Sequence, residues 1–272
     1  MYRYRKIKSI ILFFIGLCCV AACAESTQEG QQGNEGLVGG PELLTLTTAD
    51  GYTIFGYYHR PDDDETPDTV GMPLILAFHQ GGASGEAEYA PIIPRLLDSG
   101  YAVLTIDQRR GGDRFMGFNR TAAAFDAEKV SYCDVYTDLE AAFSYALTID
   151  GINEIIAWGS SYSATLAVKL AVNHPELISG VLAFSPASGE PMSGCSVLPL
   201  AFQLQQPALF LRPRSEMSIG SVAADLTAFA NMGHEIYISS PGAHGSSMLV
   251  SERVEGNTSE TWNTVFRFIN SL

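Results

Sequence analysis

The stretch Gly159-Ser160-Ser161-Tyr162-Ser163 is one position short of the pattern G-x-S-x-G, with Ser163 in place of the final glycine. In a nucleophile elbow the central serine sits on a sharp strand-to-helix turn, and its hydroxyl projects above the sheet. The residues two before and two after it must be small, because the turn brings the two backbones together. For Ser161 these are Gly159 and Ser163; for Ser160 they would be Trp158 and Tyr162, which are too large. Ser161 is therefore the candidate nucleophile and Ser160 a packing residue.

A serine hydroxyl needs a base, and the base needs an orienting acid. Of five histidines, His244 lies in the Gly-rich "SSPGAHGSSM", after the last expected strand, where loops gather over a site in open α/β sheets. It is the candidate base. His59, at a strand end, His174, closing a helix, and His234, opening a strand, are expected to be structural. Glu216, just beyond "PALFLRP", is the candidate acid; Asp225 is its rival but falls inside the expected helix "SVAADLTAFA". An acyl-transfer site also requires two fixed backbone N–H groups for the oxyanion. Tyr162, directly after Ser161, should supply one, and the loop "HQGGASG" the other. There Gln80 is the first choice and Gly81 the second, with His79 a loop brace.

The elements that must position these residues alternate along the chain. "ELLTLTT" and "YTIFGYYHRP" flank an Asp-Gly, a hairpin signal. "PLILAFH" is a continuous apolar run of strand length, as expected in the buried middle of a parallel sheet. A helix over "EYAPIIPRLLDSG" then leads to the strand "YAVLTID", the helix "DVYTDLEAAFSYALTIDG" and the strand "EIIAWG". "SATLAVKLAVNHPE" is a helix, "ISGVLAFS" and "PALFLRP" are strands, and a helix, a strand "HEIYIS" and a closing helix end the chain. This pattern predicts an α/β fold: a mostly parallel sheet of eight strands between two helix layers, opened by an antiparallel hairpin. Between the last strand before "PALFLRP" and that strand there is room for a short helix and a loop, not for a large cap.

The first 22 residues carry Arg3, Arg5, Lys6 and Lys8 followed by a short apolar run, the form of a signal segment. The run ends in Val20-Ala21-Ala22-Cys23, which resembles the bacterial lipobox and makes Cys23 the expected lipidation site. Residues 23–41 are Gly/Gln-rich and without apolar period, a flexible tether, and 42–272 form the folded domain. Beyond residue 22 there are twelve basic and thirty acidic residues, a formal charge of −18. Such a surface argues against nucleic acid as a partner. Cys133 and Cys195 are the cysteines left in the domain, either a pair or two free thiols. No ligand spacing suggests a metal, and no cofactor is expected. Arg109, Arg110, Arg114 and Arg120 either clamp an anionic substrate group or pair with Asp107, Asp113, Asp126 and Glu128 beside them.

Over roughly residues 42–272 the chain resembles the α/β-hydrolases, in particular the dienelactone-hydrolase-like and prolyl-oligopeptidase-like esterases. The resemblance rests on "FHQGGAS", "WGSSYSA", "FSP" and "GAHGSSM". It implies Ser161 as nucleophile, His244 as base, Glu216 at the acid position, and Gln80 with Tyr162 as oxyanion donors. The chain departs from that pattern in three places: serine where dienelactone hydrolases proper use cysteine, Glu216 where most relatives have Asp, and Gln80 where many have Gly. The function expected is a lipid-anchored extracytoplasmic serine hydrolase acting on a small or medium ester. Peptidase or acyltransferase chemistry with the same triad, and a non-catalytic binding lipoprotein on this scaffold, are the alternatives.

Overall fold

The computed structural model describes residues 40–61, 71–125 and 130–272. The expected signal segment, Cys23, most of the tether, Asp126 and Glu128 lie outside these residues. Among the described residues no helix is long and apolar enough to cross a membrane. No group of three His, Cys, Asp or Glu side chains there could hold a metal ion.

The strands are β1 (Glu42–Thr47), β2 (Thr53–His59), β3 (Met72–Phe78), β4 (Ala102–Asp107), β5 (Ile152–Ser160), β6 (Gly180–Phe184), β7 (Ala208–Pro213) and β8 (Glu235–Ser239). They form one eight-stranded sheet in the order β1-β2-β4-β3-β5-β6-β7-β8. β1 and β2 pair antiparallel, β2 joins β4 antiparallel, and every other pairing is parallel. The Asp-Gly turn closes the hairpin as its composition predicts: Gly51 takes φ +87°, and its N–H donates to Thr48 O at 2.9 Å.

The helices are α1 (Gly85–Tyr89), α2 (Ile93–Leu97), α3 (Arg120–Ala123), α4 (Tyr136–Ala146), α5 (Tyr162–Asn173), α6 (Val197–Gln203), α7 (Gly220–Asn231), α8 (Ser251–Val254) and α9 (Ser259–Ile269). The single helix expected over residues 88–100 is two short ones. Pro91 lacks an N–H and its ring crowds the preceding turn, so α1 stops at Tyr89 and the chain restarts as α2, with Pro94 in its first turn. Between β6 and β7 there is a one-turn 3-10 helix, Glu190–Met192, and α6. No large cap stands there.

The period-two alternation of the central strands separates two cores. Leu74, Leu76 and Phe78 of β3, with Ala157 of β5, face the layer of α4 to α7. Ile75, Ala77, Ile156 and Trp158 face α2, α9 and Tyr89. Both faces of β3 and β5 are dry, which is why these strands read as unbroken apolar runs.

Arg109 is buried where β4 ends. Its Nε donates to Asp138 at 2.8 Å and its Nη1 to Asp50 at 2.7 Å. Arg120 stacks on Phe55 and Tyr57, and its backbone N–H donates to Asp107 Oδ2 at 2.9 Å. These two arginines are therefore committed to the scaffold. Arg109 does so through carboxylates from β1–β2 and α4, not through the acids beside it in sequence.

Cys133 and Cys195 form a disulfide with Cα atoms 5.7 Å apart and a sequence separation of 62. It ties the segment before α4 to the segment before α6. Closing a loop of that size restricts the unfolded chain by about 4 kcal/mol in the chain-entropy model. Reduction, or Cys133→Ala with Cys195→Ala, should lower the urea midpoint by an amount equivalent to about 3–4 kcal/mol. An unchanged midpoint in the presence of reductant would show that the pairing contributes nothing.

Candidate active site

The site is built on the junction between β5 and α5. β5 ends at Ser160, α5 begins at Tyr162, and Ser161 between them takes φ +61° and ψ −122°. A positive φ is costly for a residue with a Cβ and persists only where surrounding structure enforces it. The enforcing contact is at Gly159, where a Cβ would lie 2.3 Å from Ser163 O and 2.4 Å from Ala164 Cα. Ser161 N–H donates to Phe184 O at 2.8 Å, and its carbonyl accepts from Ala187 N–H at 3.1 Å. The turn is thereby pinned to the end of β6, and Ser161 remains partly exposed. Ser163 is more than small: its hydroxyl donates to His79 O at 2.6 Å and accepts from Gln108 Nε2 at 2.8 Å.

Glu216 lies in a one-turn 3-10 helix, Arg214–Ser218, directly after β7. His244 follows β8, and its Nδ1–H donates to Glu216 Oε1 at 2.5 Å. Asp225 stays in α7, and the imidazole is bonded to Glu216 instead. Arg212, buried at the end of β7, donates from Nη1 to Glu216 Oε2 at 2.9 Å. Its Nη2 donates to Pro186 O. Burial alone would raise the Glu216 carboxyl. Hydrogen bonds and charge from His244 and Arg212 outweigh it and hold the carboxyl below its ordinary range. Glu216 is thus a carboxylate, able to stabilise an imidazolium at His244.

The loop after His244 is seated on the elbow itself. Ser246 N–H donates to Ser160 Oγ at 3.0 Å, and Trp158 Nε1–H donates to Ser246 Oγ at 2.9 Å. Gly245 takes φ +66°, and a Cβ there would lie 2.2 Å from Ser160 Oγ. Ser160 and Gly245 are in contact, so the residues beside them in the chain, Ser161 and His244, share one edge of the sheet. Ser160 packs as its neighbours' sizes imply, and its buried hydroxyl also anchors the loop that carries His244.

The oxyanion side departs from expectation at one position. Gln80 N–H donates to the buried Glu88 carboxylate at 2.7 Å, and its side-chain Nε2 donates to the other Glu88 oxygen at 3.2 Å. Both donors face α1, so Gln80 is corrected from oxyanion donor to an anchor of the loop. Gly81 is the next backbone N–H, and the Tyr132 hydroxyl lies 3.2 Å from where a Gly81 Cβ would be. Tyr162 N–H stands in the first turn of α5, where helix geometry supplies no acceptor. Its phenol points away and accepts from Gln108 Nε2 at 3.0 Å.

His79 is fully buried. Gln108 N–H donates to its Nε2 at 2.8 Å, so Nδ1 carries the proton and donates to Gln80 O at 2.8 Å. Burial pulls its pKa down, and the ring is a neutral brace. The remaining histidines are occupied elsewhere: His59 with Glu86, His174 with Glu140 and His234 with Ala201 O. Arg110 packs over the Tyr132 ring at 4.4 Å, and Arg114 is exposed.

A family model described as alpha/beta hydrolase fold matches residues 73–259. The chain belongs to the α/β-hydrolase family. Among solved structures it is similar to a protein described as a dienelactone hydrolase from Klebsiella pneumoniae, at 16% identity and TM-score 0.62, over 85% of this chain and 100% of that one. It is also similar to a Pyrococcus furiosus esterase, at 17% identity and TM-score 0.60, over 88% and 95%. With the acylaminoacyl peptidase of Pyrococcus horikoshii the identity is 16% and the TM-score 0.58, over 79% of this chain and 39% of that one. The matched region is thus about two fifths of that peptidase's length. No curated protein sequence matches the chain. At these identities the likeness is one of fold, and the site's chemistry rests on its own geometry.

That geometry leaves Gly159 of this α/β-hydrolase no space for a side chain, and the atoms it would meet are backbone. Gly159→Ala would push β5 and α5 apart against backbone atoms that cannot rotate away. Denaturant unfolding of the variant should show a loss of about 3 kcal/mol. Wild-type stability in Gly159→Ala would mean that the elbow is looser than this contact requires.

Proposed function

We propose that this α/β-hydrolase is a serine hydrolase that cleaves a small or medium ester through Ser161, His244 and Glu216. The observation that carries the reading is the His244–Glu216 hydrogen bond of 2.5 Å, formed on a loop seated against the residue next to Ser161. Ser161 Oγ attacks the ester carbonyl while His244 Nε2 takes its proton. Tyr162 N–H and Gly81 N–H, the latter in place of Gln80, receive the oxyanion. His244 returns the proton to the leaving alcohol, and water then releases the acid from the acyl-enzyme by the same steps. Each oxyanion donor in such a site is worth about 3–4 kcal/mol of transition-state stabilisation. An ester of modest size is favoured over a long peptide because the segment between β6 and β7 offers only a one-turn 3-10 helix and α6, no large cap or propeller to screen long substrates.

The protein acts outside the cytoplasm, in a bacterial cell envelope, held to the membrane by a lipid on Cys23. Two features support this placement: the lipobox resemblance at residues 20–23, and the Cys133–Cys195 disulfide, a bond that persists in oxidising compartments. Nucleic acid is not a partner of so acidic a chain. Cys23→Ala should release the protein from the membrane fraction, and an unchanged distribution would remove the anchor from Cys23.

The enzymatic reading is tested on the full chain in detergent with a fluorophosphonate probe and an activated short-chain ester. Labelling should be abolished by Ser161→Ala and turnover by His244→Ala. Glu216→Gln should cost about 100-fold or more in kcat, whereas Asp225→Asn leaves it near wild type. A folded wild-type protein that takes no label favours the non-catalytic alternative. Labelling with peptide rather than ester turnover would assign it to peptidases.

A further inference from the structure

We propose that Ser185 is a positioning residue that holds the acid and the base of this site together, an inference that rests on the hydrolase reading above. Ser185 follows β6 directly, is fully buried, and adopts φ +50°. A serine in left-handed conformation is disfavoured unless its surroundings demand it. Here its own N–H donates to Leu211 O at 2.8 Å, continuing the parallel β6–β7 ladder one residue beyond β6. What the conformation achieves is the placement of one hydroxyl.

A serine hydroxyl has one proton to give and lone pairs to accept with. The Ser185 proton goes to Glu216 Oε1 at 3.2 Å, the same oxygen that receives His244 Nδ1–H. The Ser185 oxygen accepts from Gly245 N–H at 3.1 Å, the residue after His244. One buried atom therefore touches the acid and the backbone of the base loop at once. Arg212 completes the arrangement from the other side, on Oε2 and on the carbonyl of Pro186, next to Ser185 in the chain. With the Ser185 hydroxyl removed, Gly245 N–H is buried without this acceptor. The imidazole then keeps its bond to Glu216 and the Ser160–Ser246 contact further along the loop, but loses the tie at the residue directly after it. Ser185 touches no reacting atom, so its effect must pass through Glu216 and His244.

Ser185→Gly keeps the left-handed backbone available and removes the hydroxyl. In the full chain we expect a protein that folds and melts within about 10 °C of the wild type, the scale of one buried donor losing its acceptor. Its kcat and fluorophosphonate labelling rate should fall by about 10- to 100-fold, the scale expected for a displaced catalytic group, with KM within about twofold. In a Glu216→Gln background the same substitution should change kcat by less than about twofold, because the group it acts through is already lost. Ser185→Ala, which keeps the Cβ, should behave alike. Wild-type kcat in Ser185→Gly, a rise in KM alone, or a loss that adds fully to that of Glu216→Gln would overturn the proposal. So would two variants that fail to fold, which would assign Ser185 to the core. A wild-type protein that is not labelled at Ser161 sinks the hydrolase reading itself. A labelled wild type with an unaffected Ser185→Gly sinks only the positioning role.

Discussion

Where β5 runs into α5, the Gly159 position faces the backbone of Ser163 and Ala164 with no space for a side chain. The rest of the site depends on that contact. It holds the intervening residue at a positive φ that an isolated serine rarely adopts, and so aims Ser161 away from the sheet. The cost is borne by two dry cores, in which the central strands and α5 are almost wholly buried. A strained turn is stable only when the elements on either side cannot relax, and here both are buried where they adjoin it.

From that junction, hydrogen bonds spread in two directions. Ser163 reaches the carbonyl of His79 and so fixes the loop after β3. Ser160 reaches the backbone of Ser246 and so fixes the loop after β8. The two serines that flank Ser161 thus set the two walls between which a substrate would bind. Their hydroxyls are buried and paired, and each is directed by the alternation of the strand or the first turn of the helix.

The electrostatics follow from burial. Glu216 is largely removed from water, a situation that on its own favours a neutral acid. Arg212 and His244 reverse that preference, and Ser185 adds a neutral donor to the oxygen that the imidazole uses. Arg109 and Asp138 face a similar problem in the scaffold: two charges without solvent, tolerable only because each is multiply hydrogen-bonded. Such groups define where the loops of β1–β2, β4 and α4 must meet.

Much of this was legible in the chain. An Asp-Gly hairpin signal and apolar runs of strand length identified the strands. Small residues around Ser161, and a histidine and a glutamate just past the last strand and the one before it, identified the candidate site. Those features depend on local sterics and on strand order, which neighbouring residues encode. Other features depend on which distant groups meet, and spacing does not encode that. Gln80 stands in the expected loop, yet its N–H is turned to a carboxylate on α1. Arg109 ignores the acids beside it for Asp50 and Asp138, and the two cysteines are brought within bonding reach by loops from different crossovers. Sequence alone determined the strands, their order along the chain and the residue types at the strand ends. Tertiary structure alone decided the partner of each buried donor, because a hydrogen bond is satisfied by whatever acceptor the packing places within about 3 Å.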